Sequence, residues 1–193
     1  MTEVFELRQY TLHPGKRDTL IELFEREFIE PQEACGMHVV GQFRDLDDPD
    51  RFVWFRGFPD MTQRKEALTC FYGGPVWKAH RDAANATMID SDDVLLLRLV
   101  EGSAFPVSAP RYFLTVYSFD APIDDAVVDR VRREGSALTL LKTEYAENNY
   151  PALPVRAGEH VIVALSAEDR YVELSDCRVR HLRLEATGRS RLR

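Results

Sequence analysis

Val4-Phe5-Glu6-Leu7-Arg8-Gln9-Tyr10-Thr11-Leu12 is the segment from which the fold of this chain can be worked out. Its alternating side chains predict a β-strand, with Phe5 and Leu7 on one face and the charged residues on the other. His13-Pro14-Gly15 follows as a turn, because proline and glycine both favour one. Apolar residues then recur at helical spacing over residues 16–28, so a helix follows the strand, and Pro31 and Gly36 end that segment.

Further strand and helix signals complete the first half of the chain. Alternating residues predict strands, and apolar residues three or four positions apart predict helices. The expected elements are strands at 37–43 and 52–58, helices at 62–71 and 76–87, and a strand at 93–101. The resulting order, β-α-β-β-α-β, is that of a ferredoxin-like unit.

The same order begins again after a linker rich in serine, alanine and proline. The expected elements are strands at 112–119, 139–145, 160–165 and 178–184, a helix at 124–134 and a short, degenerate second helix at 168–174. The sequence therefore predicts an α+β fold of two tandem ferredoxin-like (βαββαβ) halves. Because each sheet leaves one face open, the two sheets are expected to close into an intrachain α/β barrel. The predicted division is a first half at 1–102, a linker at 103–110, a second half at 111–187 and a basic tail at 188–193.

Charge is distributed unevenly along the chain. The net charge is −7, but residues 178–193 carry six arginines and a single acid, which leaves −12 on the remainder. An acidic body opposes binding to a phosphate backbone, so no nucleic-acid partner is expected. The tail at 188–193 is expected to be solvated.

The cysteines and the apolar runs bear on the compartment. Cys35, Cys70 and Cys177 are odd in number and have no close spacing, which excludes a disulfide scaffold and any CxxC motif. Cys35 and Cys70 are interpreted as small buried side chains. The chain shows no signal-peptide pattern, and no apolar run approaches the roughly 20 residues of a membrane span. We therefore expect a cytoplasmic protein with no membrane partner.

Motifs of metal and cofactor sites are absent from the sequence. There is no His-x-x-x-His or His-x-His pair, no Gly-x-Ser-x-Gly, no Gly-x-Gly-x-x-Gly and no Walker loop. We therefore expect no metal and no cofactor. His38 and His80 are the candidates for a general base or a ligand. The alternation around His38 leaves two sets open for the inner face of its strand: His38, Val40 and Gln42, or Val39, Gly41 and Phe43.

A concentration of arginine and aromatic residues marks one face of the predicted sheets. Leu95, Leu97 and Leu99 are expected to pack on the helices, which turns the opposite faces toward the space between the two sheets. The candidate ligand-binding residues expected in this space are Arg8, Tyr10, Trp54, Arg56, Arg98, Tyr117 and Arg183. Glu6 and Glu144 are available counter-charges. Because enclosed guanidinium groups need carboxylates, carbonyls or an anionic ligand, the group forms either an internal ion-pair network or a pocket for a small aromatic or anionic molecule.

Several segments resemble the NIPSNAP family. The segment Phe5-Glu6-Leu7-Arg8-Gln9-Tyr10-Thr11-Leu12, with Pro14-Gly15-Lys16, resembles the family's opening strand and turn. Gly74-Pro75-Val76-Trp77, followed by Arg81 and Ala84-Asn85, is similar to the second-helix segment of bacterial members, and Phe52-Val53-Trp54 is similar to the third strand. The resemblance covers residues 3–101 and implies the dimeric α/β-barrel superfamily, in agreement with the order of elements.

The resemblance leaves three functions open. The preferred hypothesis is a protein that binds a small aromatic or anionic molecule between its two sheets. Related barrel families include cofactor-independent monooxygenases, which suggests an alternative: a monooxygenase or isomerase in which His38 deprotonates a phenolic or quinol substrate and an arginine stabilises the anion. A second alternative follows the animal members, which are linked to partner binding: an adaptor whose outer helices bind protein. Assembly into a homo-oligomer is left open.

Overall fold

The computed structural model describes residues 3–106, 108, 109 and 111–193. Residues 1, 2, 107 and 110, which belong to the predicted first half and linker, lie outside the described residues. The strands are β1 Val4–Leu12, β2 His38–Asp45, β3 Arg51–Phe58, β4 Met88–Asp90, β5 Val94–Leu99, β6 Tyr112–Phe119, β7 Ala137–Thr143, β8 His160–Ser166 and β9 Arg178–Ala186. The helices are α1 Arg17–Leu23, a π-helical segment Phe24–Phe28, α2 Ile29–Ala34, α3 Met61–Gly73, α4 Pro75–Asn85 and α5 Asp125–Glu134.

Eight of the strands close into an antiparallel barrel. The order around it is β3-β2-β9-β6-β8-β7-β5-β1, and β1 pairs with β3 to complete the circle. The short strand β4 pairs with the C-terminal end of β1. The two halves meet at two seams, β2 with β9 and β5 with β7. The predicted α+β fold, two ferredoxin-like halves joined in one barrel, is therefore confirmed. The division of the chain at 103–110 stays a prediction.

The first helical region is longer than the sequence pattern predicts. It runs without a break from Arg17 through the π-helical segment to Ala34, so it ends just before Gly36 as predicted, but Pro31 does not end it. Proline normally clashes with the carbonyl group one turn earlier. The widened π turn immediately before Pro31 relieves that clash, so the chain remains helical.

The second half has one helix, and its predicted second helix at 168–174 is not formed. Asp124 caps α5 by accepting a hydrogen bond from the Ala126 N–H at 2.8 Å. The later segment is irregular and lies along the sheet, where the Val172 N–H donates to the Tyr117 hydroxyl at 3.0 Å. With Val172 buried and its backbone paired to a sheet side chain, the segment needs no helical hydrogen bonds.

The faces of the first-half strands are the reverse of the prediction. Phe5, Leu7, Leu95 and Leu97 line the barrel interior, and Leu99 packs against that interior core. The polar residues of β1 therefore lie on the outer face, beneath the helices, and not between the sheets. Alternation shows which residues share a face, but β1 is buried on both sides, so polarity alone does not tell inside from outside.

Strand β2 follows neither of the two patterns predicted for it. Val39 lies opposite Arg56 and Gly41 lies opposite Phe55, so the register shifts between them. A bulge of this kind places Val39 with the outer core, while Val40 and Phe43 belong to the barrel interior. Because of the extra residue on β2, simple alternation does not hold across the bulge, and Val40 and Phe43 both point into the barrel.

The C-terminal segment is docked, which corrects the prediction of a solvated tail. Leu192 is 3% exposed and enters the barrel core, and it packs so closely on Gly41 that a Cβ there would lie 3.0 Å from its Cδ1. Arg191 pairs with Glu33 at 2.6 Å. Arg189 and Arg191 thus pair with acids of the helical layer, while Leu192 after them is buried.

A disulfide links Cys35 and Cys70, which corrects their interpretation as small buried thiols. The two residues are 35 positions apart in sequence, yet their Cα atoms lie 5.7 Å apart because α2 and α3 pack side by side. Sequence spacing cannot reveal that proximity. Cys177 is a free thiol.

The described residues form neither a membrane-spanning helix nor a metal-binding cluster. No helix in the described ranges is both long and apolar enough to cross a membrane. Within the same ranges, no group of three or more His, Cys, Asp or Glu side chains could hold a metal ion.

Candidate functional site

Glu6 is the centre of a buried charge cluster on the outer face of β1. Its Oε2 atom lies 2.7 Å from Arg8 Nη1 and 2.7 Å from Arg56 Nη2, and its Oε1 atom lies 2.7 Å from Arg64 Nη2. All four residues are at most 2% exposed. Strands β1 and β3 supply three of them, and α3 supplies Arg64.

These contacts keep the cluster ionised. Burial by itself raises the pKa of Glu6, but the positive charges of Arg56, Arg8 and Arg64 outweigh it and hold the pKa of that carboxyl far below its usual range. Burial also opposes the charge on Arg8, yet Tyr10 and Glu6 raise the pKa of its guanidinium group above the usual value. Glu6 is therefore a carboxylate and its partners are cations at neutral pH.

The charges in the cluster do not balance. Across the parts of the chain that the structure describes, no carboxylate other than Glu6 lies within 4.0 Å of the three guanidinium groups. The cluster therefore carries two uncompensated positive charges. Its other hydrogen-bond partners are neutral oxygens and a sulfur, from Gln32, Met37, Tyr10, Tyr72, Ser91, Asn148 and Asn149. Such an excess of buried charge favours an anion nearby.

A cavity of about 80 Å³ adjoins this cluster. Arg8 and Gln32 provide polar surface on its inner side, and Ser91 and Asn85 do so nearer the solvent. Most of its wall is aromatic: Tyr10, Phe24, Phe28, Trp54, Phe71, Tyr72 and Trp77. The cavity thus lies between the helical layer and the outer face of the barrel.

The polar groups at the cavity are mostly hydrogen-bond donors. Arg8 Nε donates to the Tyr10 hydroxyl at 2.8 Å, but Arg8 Nη2 reaches only the Ser91 carbonyl, at 3.5 Å. The buried indole N–H of Trp54 has no acceptor among the described atoms. Arg56 donates to the Tyr72 hydroxyl at 3.2 Å, which leaves the O–H of that tyrosine free to donate. A ligand in this cavity must therefore accept hydrogen bonds.

The π-helical segment places two aromatic walls of the cavity. Phe24 and Phe28 are the first and last residues of this segment, and the Phe24 ring centroid is 4.7 Å from that of Trp54. Phe28 in turn packs on Phe71 of α3 at 5.8 Å. Single π turns are frequent at functional sites, because the extra residue changes the direction of side chains within one helix.

The second half contributes a loop, residues 144–159, to the site of the first half. Arg64 Nη1 donates to the side-chain oxygens of Asn148 and Asn149, each at 3.0 Å. Asn149 also donates to the Met61 carbonyl at 2.6 Å, and Leu153 lines the cavity. Both halves are therefore needed to complete this site.

The structure brings together four of the seven predicted ligand-binding residues. Arg8, Tyr10, Trp54 and Arg56 form one site, although on the helix-covered face and not between the sheets. The other three lie elsewhere in the fold. Their roles in binding, like those of the four, stay predictions.

The three separated residues have structural partners of their own. Arg98 is half-exposed and pairs with Glu144 at 2.5 Å, and Arg183 is half-exposed and pairs with Asp47. Tyr117, on β6, accepts a hydrogen bond through its hydroxyl from the backbone N–H of Val172. The second half therefore lacks a charged site of its own at this position.

The candidate base His38 lies outside the cavity. It lies near the surface at the start of β2, where the loss of some hydration, together with the charge of Arg191, lowers the pKa of its imidazole. His80 also lies outside it, with Nε2 at 3.4 Å from a Glu27 oxygen. Neither histidine reaches the cluster around Glu6.

Sequence reasoning missed Arg64, which is fully buried. A signal was present: Arg64 falls on the same helical stripe as Ala67, Leu68 and Phe71, at spacings of three, four and seven. An arginine on an apolar stripe indicates a buried charge that needs a partner. That partner, Glu6, lies on a strand 58 residues away.

Fold and site together define an α/β barrel of two ferredoxin-like halves, one of which carries an arginine-rich cavity. Two solved structures share this fold over nearly the whole chain, both of provisionally named monooxygenases. That from Lactobacillus acidophilus NCFM is 11% identical, with a TM-score of 0.56, and covers 96% of this chain and 94% of its own. That from Fusobacterium nucleatum is 8% identical, with a TM-score of 0.57, and covers 96% and 92%.

The family is decided by the first half. The NIPSNAP family model matches residues 5–104, more than half of the chain, so this protein belongs to the NIPSNAP family. A NIPSNAP family protein of unknown function from Agrobacterium tumefaciens is 20% identical, with a TM-score of 0.49, and covers 54% of this chain and 94% of its own. Among functionally curated proteins, no relative matches. The predicted resemblance is confirmed.

Proposed function

We propose that the cavity beside Glu6 binds a small organic anion, with the charged group of the ligand on Arg8. The observation that supports this most is the charge imbalance: three buried arginines share one carboxylate. An anion at Arg8 Nη2 also supplies an acceptor within the same cavity as the unpaired Trp54 N–H. The aromatic walls then enclose the apolar part of the ligand.

The size of the cavity narrows the ligand class. Its 80 Å³ is about half the volume of roughly 150 Å³ at which an engineered apolar cavity holds benzene. A compact carboxylate such as acetate or propionate fits the space as it stands. An aromatic carboxylate such as benzoate requires the walls to move outward, so we expect it to bind less tightly.

Calorimetric titration with acetate, propionate and benzoate tests the proposal. We expect the wild type to bind the two small carboxylates and Arg8→Gln to bind them about 10-fold to 100-fold more weakly, because a charged hydrogen bond is lost. Arg8→Gln reduces the excess of positive charge, so the variant is expected to fold. Arg183→Gln, which changes an exposed arginine far from the cavity, is the matched control.

Two results contradict the proposal. One is the absence of binding by the wild type at millimolar concentrations of all three carboxylates. The other is equal affinity of the wild type and Arg8→Gln, which places any bound anion elsewhere. Trp54→Phe, which removes only the indole donor and some volume, is expected to weaken binding less than Arg8→Gln does.

The geometry gives less support to a monooxygenase or isomerase. The described lining residues include no histidine, aspartate or glutamate, so the cavity offers no side chain suited to deprotonate a phenol. Its donors suit the stabilisation of an anion that is already formed. Oxygen uptake with a panel of quinols and phenols is the experiment that would revive this alternative.

The adaptor alternative needs an exposed apolar surface on the outer helices, and the described residues of these helices do not provide one. The large apolar side chains described as exposed are Leu46, Ile89, Leu138, Tyr145, Tyr171 and Val179, and all of them lie on strands or loops. We further propose, from the acidic body, that the protein has no nucleic-acid partner, while its cytoplasmic location stays a prediction. Assembly into a homo-oligomer stays a prediction.

A further inference from the structure

The disulfide joins two helical segments that each contribute a wall of the cavity. Cys35 follows the last residue of α2, one turn beyond Gln32, which lines the cavity. Cys70 lies in α3 immediately before Phe71 and Tyr72, which also line it. The covalent link therefore holds two walls of the site and not a distant part of the fold.

Noncovalent contacts also join the two walls, through one guanidinium group and through packed aromatic rings. Arg56 Nη1 donates to Gln32 Oε1 on one wall and to the Tyr72 hydroxyl on the other, both at 3.2 Å. Phe28 packs on Phe71 and on Trp77, with ring centroids 5.8 Å and 5.6 Å apart. Without the covalent link, only noncovalent packing of this kind holds the walls together.

We propose that the Cys35–Cys70 disulfide is a redox-responsive latch, which holds the cavity in its compact form when oxidised and lets it open when reduced. The inference rests on the proposed function for its ligand, the small carboxylate. In the reaction, a dithiol reductant, a small molecule or a protein, donates two electrons and two protons. The sulfur–sulfur bond breaks to give two thiols, and the reductant becomes a disulfide.

The bond is accessible to such a reductant. Cys70 is exposed and Cys35 is half-buried, so a thiolate can approach the Cys70 sulfur from solvent. Accessible disulfides are the ones that exchange readily, and in a reducing compartment they serve as sensors more often than as permanent supports. A disulfide that exchanges in this way is compatible with a cytoplasmic location.

Reduction is expected to weaken the binding of small anions. In the oxidised protein the aromatic walls are already in place, so a compact ligand does not have to order them. In the reduced protein the two walls separate, and part of the binding energy is used to bring them together. We expect the dissociation constant for propionate to rise about threefold to tenfold on reduction.

The two tryptophans provide a direct readout, since the chain has only Trp54 and Trp77 and both line the cavity. In a Trp77→Phe background, acrylamide quenching reports on Trp54 alone. We expect quenching to rise about twofold or more when dithiothreitol reduces the disulfide, because a buried indole becomes accessible. The measurement needs no ligand.

Two cysteine variants and an alkylation measurement serve as controls. Cys35→Ser with Cys70→Ser is expected to behave as the reduced protein and to be insensitive to reductant. Cys177→Ser, which changes the free thiol, is expected to respond as the wild type does. Alkylation followed by mass spectrometry of the protein without denaturant should detect two additional reactive thiols after reduction, Cys35 and Cys70.

The outcomes separate the latch from the proposed function. Unchanged Trp54 quenching after complete reduction overturns the latch, and so does alkylation of Cys35 and Cys70 without reductant. Equal propionate affinity in both states overturns the latch while the carboxylate site stands. Redox-dependent quenching without carboxylate binding supports the opening of the cavity and rejects its proposed ligand.

Discussion

Glu6 and Arg56 face each other across β1 and β3, fully buried, with Arg56 Nη2 at 2.7 Å from Glu6 Oε2. A buried ion pair is seldom the most stable solution, because apolar side chains of similar volume are often as stable or more so. Three arginines around one acid are less favourable still. The cluster is therefore easier to explain as a binding device than as a support for the fold, which is the reason for proposing an anion site here.

Glu6→Gln is expected to destabilise the protein by about 3–5 kcal/mol, because three buried guanidinium groups lose their counter-charge. Urea denaturation followed by circular dichroism measures the change. Asp47→Asn, which breaks the exposed pair with Arg183, is the matched control and should leave the free energy of unfolding nearly unchanged. Equal effects of the two substitutions would contradict the central role of Glu6.

Acid should destabilise the wild type more steeply than Glu6→Gln. The pKa of Glu6 is far below its usual range in the folded chain, so below about pH 4.5 the unfolded chain takes up a proton that the folded chain does not. This contribution to stability is present above that pH and is lost as the pH falls, by up to about 1.4 kcal/mol per pH unit. Urea unfolding of both proteins between pH 3 and pH 6 tests this, and parallel curves would show that Glu6 is not the group responsible.

Asn149→Ala should loosen the loop that the second half places over Arg64. It removes the hydrogen bond from Arg64 and the one to the Met61 carbonyl, at an expected cost of about 1–3 kcal/mol. Hydrogen exchange measured by mass spectrometry should become faster in residues 144–159. Glu147→Ala, an exposed change in the same loop, is the control, and protection that stays the same in Asn149→Ala would count against this connection.

Leu192→Ala should destabilise the barrel by about 2–5 kcal/mol, because it leaves a cavity in the core beside Gly41. Thermal and urea unfolding measure the loss. Arg193→Ala, at the exposed last position, is expected to change stability little. If the two variants are equally stable, the C-terminal segment is not part of the core.

Several features of the fold could be predicted from local patterns alone. The predicted strand at residues 4–12 matches β1, and the helix at 124–134 differs from α5 by one residue. Both have clear periodicity and a defined end. The helix predicted at 168–174 is wrong. The conformation of this segment depends on its contact with the sheet beneath it, where the Val172 N–H donates to the Tyr117 hydroxyl.

The site was predictable only in part. Arg8, Tyr10, Trp54 and Arg56 share one face by alternation, and the structure joins them. Arg98, on β5 beside β1, and Arg183, on β9, follow the same alternation in their own strands, yet they pair with Glu144 and Asp47 instead of joining the cluster. Alternation places a residue on a face of its strand, but it does not decide which side chains become its partners.

The sequence by itself determined the order of strands and helices, the repeat and the family, because these depend on local periodicity and motifs. The tertiary structure alone decided which face of β1 is covered by helices, since both faces are buried and carry large side chains. It also decided the long-range pairs: Glu6 with Arg64, Cys35 with Cys70, and Leu192 with Gly41. Each joins residues at least 35 positions apart, where contact depends on how the barrel closes and not on any local preference.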